Sequence, residues 1–354
     1  MAWAGRCPKR STAHPAVVPE VKGNAMTIPL SILDLAQIAD GSTAAETFAS
    51  SVSLAQHAER WGYRRIWYAE HHNMGSIASS ATSVLIAHIA ANTSSIRLGA
   101  GGVMLPNHSP LTIAEQFGTL ESLHPGRIDL GLGRAPGSDQ TTARALRRDP
   151  MSADSFPQDV LELQGYLTGP SRVPGVQATP GQGTDVPLYI LGSSLFGAQL
   201  AAALGLPFAF ASHFAPQALQ DAAAIYRRDF QPSAQSEKPH FIAGVNVIAS
   251  DSADDAHHEF HEAMLRRVTL LLGRGQSFSR EESEAILASP GGQHMAEMAR
   301  YSAVGTPDVV RDYLERFAGQ IGADELIVAT QAGTTEGWLH SFELLAGAML
   351  PVTI

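Results

Sequence analysis

The chain has 354 residues, 44% hydrophobic and 16% charged, with a formal net charge of −10, enough for one large core or two modest ones. No long basic stripe marks a nucleic-acid binder, and no apolar run reaches the roughly 18 residues that a membrane helix needs. The single cysteine, Cys7, excludes a disulfide scaffold and a Cys-rich zinc site and fits a cytoplasmic, reducing location.

Residues 1–25 carry basic side chains without a following apolar segment, a poor signal peptide. They show no helical or alternating period and read as a flexible extension before a natural start at Met26, leaving residues 26–354 as the folded domain. From Ile28 the pattern becomes regular. "IPLSILD" reads as a buried strand, and the next segment has helical spacing, with Phe48, Val52, Ala55 and Ala58 on one face and Gly62 as its stop. "RRIWYA" predicts strand two, "IRLGAGGVM" strand three and "RIDLGLG" strand four, each followed by a helical stretch. Ser109 and Pro110 fit the N-cap and first position of the helix after strand three. The alternation resumes with "VPLYILG", "PFAFA", "HFIAGVNVIA" and "ELIVAT". Eight strand–helix units predict an α/β fold of the (β/α)8 TIM-barrel type, with parallel strands joined by right-handed crossovers. Two segments exceed ordinary loop length, about Ala135 to Asp185 after strand four and about Asp251 to Gly305 after strand seven. Both belong at the C-terminal face, where barrels place their sites, and are expected to act as lids over a pocket.

Strand ends therefore carry the chemistry. Strand two finishes in Glu70, His71 and His72. Adjacent strand residues point to opposite sides, so His71 and His72 cannot easily share a metal, and no metal site is expected. One inward imidazole suits proton transfer or a ligand hydrogen bond; a structural histidine is the other reading. Strand three ends in Gly99, Gly101 and Gly102, which leave room for a flat ligand or an unusual backbone geometry. Arg134, ending strand four, suits an anion. Gly192, Ser193 and Ser194 end strand five where a helix begins at once, which offers free N–H groups and a positive dipole end. Because strands four and five are neighbours, these are complementary halves of one phosphate site. "HHEFH", His257 to His261, reads as a solvated helix face.

The segments "SILDLA", "IWYAEHHNM", "IRLGAGGVMLPNHSP", "GRIDLGLGRAPG", "PLYILGSS" and "GADELIV", in this order, resemble the bacterial luciferase-like, flavin-dependent monooxygenases. The resemblance implies FMN, usually supplied in reduced form by a separate flavin reductase, and transfer of one oxygen atom from O2 to a small organic substrate. It implies that His71 is catalytic; Glu70 or a backbone group is then expected to orient its ring, and His72, pointing the other way, mainly to pack. It implies a cis peptide between Gly101 and Gly102 beneath the flavin ring, and a phosphate held by Arg134, Gly192 and Ser193. Phe196 stands where luciferase has a hydroxyl residue. Ser212 and His213 fall where the family lines the ring edge. The same barrel elsewhere uses the deazaflavin F420 or binds flavin without catalysis, and family members often form homodimers.

Overall fold

The computed structural model describes residues 28–39, 41–135, 140–273 and 278–351; the expected extension over residues 1–25 lies outside the described residues. Nine strands form one parallel sheet: β1 (Leu30–Asp34), β2 (Arg65–Tyr68), β3 (Arg97–Met104), β4 (Ile128–Gly133), β5 (Leu188–Gly192), β6 (Phe208–Phe210), β7 (Phe241–Ala249), β8 (Ser302–Gly305) and β9 (Glu325–Ala329). Their order is β6-β5-β4-β3-β2-β1-β9-β7-β8, and a β6–β7 pairing closes the ring. Eight strands thus make the expected barrel. The ninth, β8, was not expected: it lies at the end of the second insertion and pairs only with the C-terminal half of β7, Asn246 opposite Ser302 through Ala249 opposite Gly305.

The helices in chain order are α1 (Ala44–Trp61), α2 (Thr82–Ala91), α3 (Pro110–Leu123), α4 (Gln140–Ala145), α5 (Phe156–Thr168), α6 (Leu195–Leu204), α7 (Leu219–Asp229), α8 (Ala253–Leu272), α9 (Arg280–Leu287), α10 (Pro290–Met298), α11 (Pro307–Ile321) and α12 (Thr335–Met349). Helix α1 starts in a capping box: the Thr43 hydroxyl accepts the Glu46 N–H while Glu46 accepts the Thr43 N–H. Its buried face is rotated from the expected one, with Thr47, Ser51, Leu54, Ala55 and Ala58 inside. The cause is polar: Ser51 donates to the buried Asp34 carboxylate at 2.6 Å, which draws that side inward. Ser109 does precede α3 with Pro110 at its first position, but its hydroxyl makes no capping bond.

Strand alternation divides the apolar interior in two. Outward residues such as Leu30, Ile32, Ile66, Tyr68, Leu98 and Leu130 meet the helices, whereas Leu33, Trp67, Ala69, Tyr189, Ile242 and Ile327 fill the barrel. Below them lies a buried polar layer. Arg65 binds Asp129 and the Tyr189 hydroxyl, each at 2.7 Å, and Glu325 at 3.2 Å. Such a network compensates charges that would otherwise be stranded in the interior. Trp67 sits directly above it, its indole N–H donating to Asp129 at 3.2 Å. Burying an indole contributes on the order of 4–6 kcal/mol at about 25 cal/mol per Å². Trp67 also accounts for part of the glycine cluster, since a Cβ on Gly99 would come 2.9 Å from its ring and one on Gly101 2.8 Å from its Cβ.

Candidate active site at the barrel mouth

Arg65 and Trp67 on β2, and Ala69 just past it, lie on the inward side; His71 follows two residues later, past the strand, close enough to His213 for the two rings to interact electrostatically. The His71 Nδ1 is shielded from solvent and has no hydrogen-bond partner. Burial holds the His71 imidazole below its ordinary pKa, against a smaller upward pull from Glu70, so the ring is neutral at neutral pH.

Glu70 does something other than orient His71. Its buried Oε1 accepts hydrogen bonds from His72 Nε2 at 2.9 Å and His108 Nε2 at 2.8 Å, and its Oε2 accepts the Met104 N–H at 3.2 Å. Burial alone would raise the carboxyl; the bonds from His108, His72 and Met104 outweigh it and hold Glu70 below its usual range. The carboxylate therefore ties the end of β2 to the β3–α3 connection, and His72 is one of its donors rather than a packing residue. The three side chains bring their donor atoms within 4.8 Å of one another, a spacing a small cation could span. Direct hydrogen bonds already satisfy the carboxylate without one.

The Gly101–Gly102 peptide is cis. A Cβ on Gly102 would meet the Gly131 carbonyl oxygen at 2.8 Å, and one on Gly101 would also touch Leu33 Cδ1 at 3.0 Å. Bare backbone is thus presented at the mouth because neighbouring strands leave no space for side chains.

Arg134 and the end of β5 come together as expected. Gly133 pairs with Leu191 across the β4–β5 boundary, and the exposed Arg134 guanidinium lies 4.4 Å from the centroid of the Phe196 ring, on the first turn of α6. Ser194 is the N-cap of α6 in extended conformation, and its hydroxyl makes no capping bond. The first N–H groups of α6 are therefore open beside a guanidinium, with Ser193 and Ser194 exposed and Gly192 half-buried.

Ser212 is displaced from the role the resemblance implied. It is fully buried and its hydroxyl donates to the Gly244 carbonyl at 2.5 Å, so it braces β6 against β7 instead of lining the mouth. His213 next to it packs on Gly244 so closely that a Cβ there would overlap its Nδ1. That nitrogen is buried and unpartnered. Burial first, then Arg267 and His71, push the His213 pKa down to about 4. In the "HHEFH" segment, His257, His258 and His261 are exposed on α8, and His261 pairs with Glu284 at 2.9 Å.

A cavity of about 1290 Å³ opens beside these residues, walled by the ends of β1 and β9, the β2–α2 loop and α8 of the second insertion. None of the predicted site residues lines it, but Leu33, which touches Gly101, does. Sequence reasoning missed His108, which stands 38 positions from Glu70, and Arg267, one of an arginine pair on α8. The sequence signal for His108 was its place in the loop after strand three, where the C-terminal face is built.

Residues 28–325 match the family model described as luciferase-like monooxygenase. The chain is 52% identical over 322 residues to a luciferase-like monooxygenase of Escherichia coli (strain K12), covering 90% of this chain and 96% of that protein. Among solved structures, apo-MsnO8 superposes with a TM-score of 0.83 at 36% identity, over 92% of this chain and 99% of that one. Two remoter structures share the fold alone. One is the FMN-bound oxygenating constituent of 3,6-diketocamphane monooxygenase from Pseudomonas putida (16% identity, TM-score 0.69, 93% and 99% covered). The other is an F420-dependent secondary alcohol dehydrogenase (15%, 0.68, 92% and 100%). No helix among the described residues is long and apolar enough to cross a membrane.

Proposed function

The chain belongs to the luciferase-like monooxygenase family, and we propose that it is an FMN-dependent monooxygenase that delivers one oxygen atom from O2 to a small organic substrate. The observation that carries the cofactor reading is the meeting of Arg134 with the uncapped start of α6. A guanidinium next to open helix N–H groups is suited to a phosphate monoester. When bound, the reduced flavin supplies the electrons that activate O2; a separate reductase is the expected source of that reduced flavin. The chain's own groups do the rest. Arg134 and the amides at Ser193 to Phe196 hold the phosphate. The bare Gly101–Gly102 backbone offers a flat seat. His71, neutral and with a free Nδ1, exchanges a proton or hydrogen-bonds at the reacting edge. Glu70 acts on neither directly: it is a positioning residue that fixes the walls on either side.

F420 is the competing cofactor, because the fold is shared with an F420-dependent enzyme. Titration of the purified chain with FMN, riboflavin and F420, followed by absorbance, and then O2 uptake with reduced FMN, separates the readings. FMN binding that depends on the phosphate, together with O2 consumption, supports the proposal. Binding of F420 in preference to FMN refutes it, and FMN binding with O2 consumption no faster than that of free reduced flavin indicates a non-catalytic flavin protein.

A further inference from the structure

The flavin reading leaves Arg267 unused. This side chain lines the large cavity yet is only 7% exposed. Among the described residues it makes no hydrogen bond and no ion pair. Its neighbour Arg266 contrasts with it: half-exposed, it donates to the Gln331 carbonyl at 2.8 Å and pairs with Glu259 at 3.7 Å. A guanidinium does not lose its proton at working pH, so burial cannot be relieved by neutralisation. An uncompensated buried cation is costly, and a counter-charge offsets that cost.

The groups gathered near Arg267 are neutral. Asn246 and Gln331 share a small adjoining hollow with it, and His213 is held neutral by its surroundings. Thr330, just past β9, adds a buried hydroxyl with no partner on the same cavity wall. The cavity's carboxylates are committed elsewhere: Asp34 to Ser51 and the Ala36 N–H, Glu46 to Thr43. The wall is mixed: polar side chains such as Gln37, Asn73 and Thr334 alternate with an apolar set that includes Leu35, Ile38, Met74, Leu270, Phe278 and Trp338. Leu33 carries that wall up to the Gly101 backbone.

We propose that this cavity is the substrate site and takes an amphiphilic organic oxyanion, its carboxylate or sulfonate on Arg267 and Thr330 and its apolar body along the wall leading to Gly101. The assignment of the site as the substrate's rests on the flavin reading above, but the anion preference does not. Arg267 presents a planar fork that matches two oxygens of such a group.

The test is calorimetric titration of the full chain, free and FMN-loaded, with octanoate, octane-1-sulfonate and octanamide. At least one anion binds about tenfold or more tighter than the amide, the loss expected for a charged hydrogen bond. Arg267→Met abolishes that preference, leaves FMN affinity unchanged, and raises the melting temperature of the ligand-free chain by removing an unpaired buried charge. Thr330→Val weakens the preferred anion by a smaller factor. Equal binding of anions and amide by the wild-type chain overturns the proposal without needing any variant. So does an anion preference that persists in Arg267→Met, or an anion that displaces FMN competitively. Failure of FMN to bind, with the anion preference intact, sinks the flavin reading and leaves the oxyanion site standing.

Discussion

Replacing Arg134 by Ala isolates the phosphate from the rest of the cofactor. The guanidinium is exposed and stacked 4.4 Å from the Phe196 ring centroid, so its removal breaks one charged contact and little packing. A hydrogen bond to a charged group contributes about 1.5–3 kcal/mol, and FMN affinity should fall by about 10- to 150-fold at 1.4 kcal/mol per tenfold. Riboflavin, which has no phosphate, should change by less than about twofold, because the lost group touches nothing it carries. Phe196→Ala removes only the stack, about 0.5–1 kcal/mol at an exposed site, and should weaken FMN by no more than about fivefold. If the stack acts by holding the guanidinium in place, the two losses are not additive: in the Arg134→Ala background, Phe196→Ala should cost FMN affinity almost nothing. Fluorescence quenching of each flavin at two salt concentrations reads all of this, with the Arg134 contribution shrinking as salt rises. Equal losses for FMN and riboflavin would refute the phosphate assignment.

The other expectations concern the histidines and their brace. His71→Ala should keep FMN affinity within several-fold yet slow single-turnover oxygenation by at least about a hundredfold, the lower range for lost acid–base catalysis; an unchanged product yield would make His71 structural. Glu70→Gln replaces a carboxylate that accepts three hydrogen bonds with a group that turns a donor toward one of them. It should cost about 1–3 kcal/mol of stability in urea unfolding, and a loss under 0.5 kcal/mol would show that the brace is idle. His213 sets a pH dependence: its folded value of about 4 lies below the ordinary 6.5. The unfolded chain therefore holds the extra proton between those limits, and stability falls as pH drops from 6.5 toward 4, by up to about 1.4 kcal/mol per pH unit. His213→Gln should flatten that slope, and an identical slope in the variant would contradict the assignment.

Much of the barrel was readable because its signals are local. Each strand is a short apolar run and each crossover helix has its own period, so eight units could be counted without knowing a single long-range contact. What escaped depended on partners distant in sequence. The four residues of β8 carry too little pattern to stand out inside an insertion, and they become a strand only because β7 extends past β6, whose pairing ends at Ala243, and leaves Asn246 to Ala249 to pair on that edge. The inward turn of Ser51 on α1 required knowing that Asp34 ends β1. The glycines of strand three were read as room for a ligand, yet at Gly99 and Gly101 the space is taken from below by Trp67. At the site, positions at strand ends were legible because barrels gather them on one face; Ser212 failed because its hydroxyl met a β7 carbonyl that no spacing in the chain announces.

The end of β2 shows how one rule, applied fully, separates two roles. Alternation places His71 on the opposite side from His72, and by the same count it places Glu70 on the side of His72. Both residues lie past the end of β2 at Tyr68, yet the carboxylate and the His72 imidazole meet at 2.9 Å, as residues two apart on a continuing strand would. Glu70 is thereby committed to His72, His108 and Met104, and among the described residues no hydrogen bond joins it to His71. The consequence is chemical. A carboxylate bonded to His71 would raise its pKa and favour the imidazolium, whereas burial without such a bond lowers it. The acid is used where fixed charge strengthens structure, joining β2 to the β3–α3 connection through His108 and Met104. The His71 imidazole is left with an unpartnered Nδ1 and a pKa lowered by burial. The Glu-His-His segment thus anchors Glu70 and His72 to the β3–α3 connection and leaves the His71 Nδ1 without a partner, the group to which the proposed mechanism gives the proton.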